Sequence, residues 1–253
     1  MSGLSSSDRP PGRPVGSVPG LARPGNRPRR RVQEDDAVES LEVRAIAVER
    51  LTFFADAVIA IAITLLALDL PVPTGETNRD VLHFVGEHYL EYLAFLISFL
   101  VVGAHWRGHH RTFRYVTVLG GQLPRLTMYW LLMQVITPFA TRVLTGEGAF
   151  QTRFIFYALV QATAALTFLL MLRELRRHGL LRADTPASVI TDAIWRTGIL
   201  ATAFLISIPF SFVSKGAAYL CWIAIPITRG LVRRVATTRR QAGRTADRRS
   251  TPP

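Results

Sequence analysis

The stretch ERLTFFADAVIAIAITLLALDLP, residues 49–71, decides how the rest of the chain is read. From Leu51 to Leu70 it is apolar except for Thr52, Asp56, Thr64 and Asp69. A run of about 20 such residues is what a helix needs to cross roughly 30 Å of hydrocarbon. Arg50 and Asp56 stand at its start, so a carboxylate lies about a turn and a half inside a segment that is otherwise suited to lipid.

The same pattern recurs along the chain. Of its 253 residues 49% are hydrophobic, and they gather into blocks rather than spreading at amphipathic spacing, which places the protein in a membrane. Six blocks are long enough to span: roughly 51–70, 89–107, 124–144, 153–172, 190–212 and 215–232. With no water to satisfy exposed peptide groups, each is expected to be a helix. The expected fold is therefore an all-α integral membrane protein of six transmembrane helices, occupying residues 41–238. Residues 1–40 and 239–253 are Pro-, Gly- and Arg-rich with little to bury, and are read as disordered basic tails. MSGLSSSDRPPGRP has no apolar core or cleavage site and is not read as a signal peptide.

Charge orients the spans. With both termini cytoplasmic, the inner segments carry Arg9 through Arg50, the RGHHRTFR loop with Arg125, Arg173 through Arg196, and Arg229 through Arg249, whereas the outer ones keep only Arg79, Arg142, Arg153 and Lys215. That asymmetry is the positive-inside pattern of a multi-pass protein of the cell membrane. The net charge of +12 sits in tails and connections without any recognition module, so nucleic acid is excluded as a partner. The lone Cys221 allows neither a disulfide framework nor a thiolate metal cluster, and no cofactor is expected.

At 100° per residue, Phe54, Ala57, Ile61, Thr64, Leu65 and Leu68 share one stripe of the first helix, and Asp56 points to roughly the opposite side. A carboxylate at this depth costs several kcal/mol if it meets lipid. Its partners are therefore expected on the end of the second span, where Trp106, His109 and Arg111 are the candidates. Arg50 can reach the headgroups or join the same cluster.

Arg50-x-x-x-Phe54-Ala55-Asp56 resembles the R-x-x-x-F-S-D signature of the endosomal and lysosomal potassium channels of the transmembrane protein 175 family and their prokaryotic relatives. Ala55 replaces the usual serine and removes one hydroxyl. AVIAIAITLLALDLP resembles that family's first helix, and Trp106-x-x-His109 with Phe113 resembles the end of its second. The resemblance implies one six-helix unit per subunit, a homotetramer, and a pore lined by the first helix. It makes Ile61, Leu65 and Leu68 the hydrophobic constriction and Thr64 a polar neighbour. The implied function is a leak-like, potassium-preferring cation channel whose partners are potassium ions, the lipid bilayer and other copies of itself.

Physical reasoning narrows the design. No T-V-G-Y-G filter occurs, which leaves an apolar constriction that conducts or dewets. His105 and His109 form an i, i+4 pair, yet no acidic or thiol ligand accompanies them and H-E-x-x-H is absent, so no metal site is read. Asp192 and Arg196 are spaced as an intrahelical ion pair, while Pro138 and Pro209 are spaced to loosen their helices. Asp69 and Glu76 are read either as a ring that gathers cations at an outer mouth or as simply solvated. No nucleophile–base pair or phosphate loop suggests an enzyme. The alternative class is a proton-coupled secondary transporter or non-conducting membrane protein in which Asp56 and His109 relay protons.

Overall fold

The computed structural model describes residues 27–222, with side chains from Glu42 onward. The chain divides into two units after Leu41, and the packing below concerns the second, from Glu42. Six helices follow one another: α1 (Arg27–Leu68), α2 (Asn78–Glu87), α3 (Tyr89–Phe113), α4 (Leu123–Thr145), α5 (Phe150–Arg177) and α6 (Ala187–Val213). Helix resumes over 215–222, where the description ends within the sixth expected span. Among the described residues the only strand-like pairing is a bridge between Val116 and Leu181, which ties the α3–α4 connection to the α5–α6 connection.

Three boundaries differ from the sequence reading. Helix α1 begins at Arg27, inside the stretch expected to be disordered. From Arg29 to Arg50 there is no Pro or Gly, and Glu, Arg, Ala and Leu favour helix there. Residues 1–26 and 239–253 lie outside the described residues. Helix α3 continues to Phe113, so most of RGHHRTFR is helical rather than a loop. Helix α2 was not expected; it starts from a capping box in which Thr77 accepts from the Asp80 amide while the Asp80 carboxylate accepts from the Thr77 amide. The T-x-x-D in TNRD is its signal.

Among the described residues four helices are long and apolar enough to cross a membrane: Glu42–Leu68 of α1, then α3, α5 and α6. Helix α4 falls short on composition because Thr127, Gln134, Thr137 and Thr141 interrupt it, and all four are buried. It packs along α5 and against α3, while α5 also packs along α6. The bonds run antiparallel: Ser98 of α3 reaches Thr141 of α4, and one heptad further along α3 His105 reaches Gln134 one heptad back on α4.

The hydroxyls of the buried row have a definite proton order. Thr141 donates to the Thr137 carbonyl, so Ser98 donates to Thr141 and the Tyr157 hydroxyl donates to Ser98. Gln161 donates to the Thr137 hydroxyl, whose own proton goes to the Met133 carbonyl. Apolar side chains fill both ends of the bundle. Val102, Phe113, Trp130, Phe168 and Met171 pack at one end, and Phe154, Tyr157, Phe204 and Trp222 at the other.

Candidate functional site: the first helix and its anchors

The apolar part of α1 has two unlike faces. Ala55, Ile59, Ala62 and Leu66 recur at intervals of four and three and are buried against the bundle, with Ile59 only 1% exposed. The stripe Phe54, Ala57, Ile61, Thr64, Leu65 and Leu68 points away from the subunit, with Ile61 60% and Leu68 77% exposed. Thr64 sits on that outer face with its hydroxyl proton donated to the Ile61 carbonyl at 2.8 Å. The proton is therefore occupied, and the hydroxyl oxygen offers lone pairs outward.

Asp56 is half-buried on the flank of the buried face, away from this stripe. Trp106 Nε1 donates to Asp56 Oδ1 at 2.9 Å, and His110 Nδ1 lies 3.7 Å from Asp56 Oδ2. The Trp106 and His110 rings lie 5.6 Å apart, so both clasp the carboxylate from successive turns of α3. His109 is not part of this clasp. It is fully buried, stacked 3.9 Å from Phe113 and 4.7 Å from Trp130. Helical register is the reason: Ser98, Val102, His105, His109 and Phe113 make one interior row, and Trp106 and His110 lie beside it. The row was legible in the spacing, so the exchange of His110 for His109 could have been read from the sequence. Arg111 and Arg50 are exposed, and neither is a partner of Asp56 among the described residues.

The other end of α1 is held as well. Arg142 of α4 pairs with Asp69 at 3.4 Å, and the Tyr92 hydroxyl donates to the Pro71 carbonyl at 2.7 Å. The sequence reading assigned Asp69 to solvent or a mouth and did not find Arg142. Helix α1 is thus tied to α3 near Asp56 and to α3 and α4 beyond Leu68, with its outward stripe between the ties. Two residues beyond the stripe also escaped the sequence reading: the buried amides Gln134 and Gln161, whose signal was a lone amide in an apolar run.

This arrangement invites comparison with known proteins. Residues 50–138 match the family described as endosomal/lysosomal potassium channel TMEM175, a segment running from the Arg50 signature through α4 to Pro138. A potassium channel of Streptomyces collinus is 33% identical over 168 residues, covering 64% of this chain and 82% of that protein. The chain belongs to the transmembrane protein 175 family. A second member, a potassium channel of Chamaesiphon minutus, is 30% identical over 186 residues, covering 68% of this chain and 89% of its own length. An endosomal/lysosomal proton channel of Gallus gallus is 30% identical over 181 residues, of which this chain covers only 32%. In fold, the crystal structure of a lysosomal potassium-selective channel TMEM175 homolog from Chamaesiphon minutus superposes with a TM-score of 0.58 at 23% identity, over 72% of this chain and 97% of that one. With four helices among the described residues long and apolar enough to cross a membrane, this family member is a multi-pass membrane protein.

Proposed function

We propose that the protein is a potassium-preferring, leak-like cation channel of the cell membrane. Each subunit contributes six spans, with both termini cytoplasmic, and four subunits surround a central pore lined by α1. The two-faced character of α1 carries this reading. A helix that turns Ile61, Leu65 and Leu68 away from its own bundle, while held by Asp56 at one end and Asp69 at the other, is placed to meet its copies around a symmetry axis. The three side chains then form an apolar constriction, and Thr64 supplies the outward oxygen lone pairs that a partly dehydrated cation can use. Potassium sheds water more readily than sodium, so a narrow dry ring favours it. Asp56, Trp106 and His110 serve as the clasp that sets the angle of α1 rather than as contacts to the ion.

The transporter alternative needs a proton path between Asp56 and His109, whereas His109 is enclosed by Phe113 and Trp130 and neither ring nitrogen has a hydrogen-bond partner among the described residues. The channel reading is tested by bi-ionic reversal potentials in planar bilayers. Ile61→Asn wets the ring, so cation current rises and discrimination between potassium and sodium falls. Unchanged current and reversal potential in an assembled Ile61→Asn protein would remove α1 from the permeation path. A monomeric mass in native-membrane extracts would remove the central pore itself.

A further inference from the structure

We propose that the cleft between the C-terminal end of α5 and the start of α6 binds the phosphate headgroup of an anionic phospholipid. The cleft has a volume of about 530 Å³ and is lined by Leu169, Arg173, Arg176, Arg177 and Ile194. The first four stand at i, i+4, i+7 and i+8 on α5, which brings three guanidinium groups onto one face above an apolar residue. Ile194 of α6 closes the apolar floor from the other side.

Three further observations make this a site rather than a solvated helix end. First, the three arginines have no ion pair among the described residues, although neighbouring charges do: Arg182 holds Asp184 in a two-pronged contact at 3.1 and 2.8 Å. Second, the one carboxylate within the basic run is turned away. Glu174 accepts from the Gln122 amide at 2.8 Å and faces His178 at 3.4 Å, which fixes it on the α4 side of α5. Gly121, at φ +57°, lets the chain pass there, where a Cβ would run into the Glu174 carboxylate. The positive charge of the cleft is therefore not cancelled from within. Third, α5 has 28 residues and is about 42 Å long, well beyond roughly 30 Å of hydrocarbon. It must overhang the hydrocarbon, and its last turns, with Arg176 and Arg177, are suited to the headgroup layer.

The chemistry of the lining then selects the occupant. Guanidinium groups bind phosphate oxygens in two-pronged fashion, and basic pockets between membrane helices hold anionic headgroups. Leu169 and Ile194 sit on the hydrocarbon side, where the glycerol and first acyl carbons would rest. A zwitterionic choline headgroup would bring its own cation to the arginines and is disfavoured. A free phosphate ester would use the arginines but gain nothing from the apolar floor.

Native mass spectrometry of the intact protein, released from mild detergent with phosphatidylglycerol or with phosphatidylcholine of the same chains, tests the site. The wild type is expected to retain phosphatidylglycerol and not phosphatidylcholine. Arg173→Gln/Arg176→Gln lowers phosphatidylglycerol affinity by roughly tenfold or more, while the charge-matched Arg107→Gln/Arg111→Gln on α3 changes it less than about twofold. Arg176→Gln alone, an exposed single change, gives an intermediate loss should the double variant not assemble. Equal retention in the α5 variants, equal loss in the α3 control, or equal binding of phosphatidylcholine would each overturn the proposal. So would soluble glycerol phosphate binding as tightly as the lipid. The readout is independent of conduction, so failure of the pore reading and failure of this one are separately visible.

Discussion

Removing the Trp106 donor should release α1 by an amount set by one hydrogen bond, and a double-mutant cycle with Asp56 isolates it. The Trp106 Nε1 to Asp56 Oδ1 bond is 2.9 Å long with an anionic acceptor, a type worth about 1.5–3 kcal/mol. The Asp56 side chain is 29% exposed and Trp106 38%, so water partly replaces the lost partner and the expected net falls to about 1 kcal/mol. Trp106→Phe keeps most of the ring packing and loses this bond. Asp56→Ala loses it together with the weak contact to His110 at 3.7 Å, a half-exposed pair worth at most about 1 kcal/mol. The double variant should therefore cost about 1 kcal/mol less than the sum of the singles. Reversible unfolding in mixed detergent micelles of all four proteins measures the coupling. A coupling under roughly 0.3 kcal/mol would mean that the clasp is a geometric neighbour and not an anchor. Asp56→Ala should also assemble less completely, read as the tetramer fraction by light scattering.

The two faces of α1 separate stability from conduction. Ile59→Ala, on the buried face, should cost about 2–4 kcal/mol in the same unfolding measurement. Ile61→Ala, two residues on and outward, should cost under about 0.5 kcal/mol while widening the ring and raising current. The reverse pattern would refute the assignment of the faces. At the far end, Arg142 partly neutralises Asp69. Arg142→Gln should raise cation current at low ionic strength and Asp69→Asn should lower it, with both effects fading near 1 M salt, where screening extends only about 3 Å. Salt-independent changes of the same size would place this pair outside the approach to the pore.

What the sequence determined by itself was the solvent, the helical class and the family. Apolar blocks too long for a soluble core forced helices, because lipid offers no partner for an open peptide group, and the α1, α3, α5 and α6 blocks are helices long and apolar enough to cross. Arg50, Phe54 and Asp56 carried the family, since they stand at the spacing of its signature. The polar α4 was legible as a span only through its apolar remainder; its threonines and Gln134 became intelligible once α3 and α5 supplied their partners. Tertiary structure decided which side of each helix meets which neighbour. Trp106 and His110 rather than His109 face Asp56, Arg142 meets Asp69, and Arg173, Arg176 and Arg177 share a cleft with Ile194. Periodicity places residues on a face, but in a membrane helix apolar side chains suit both lipid and protein. Only the packed neighbours distinguish a face that is buried from one left open.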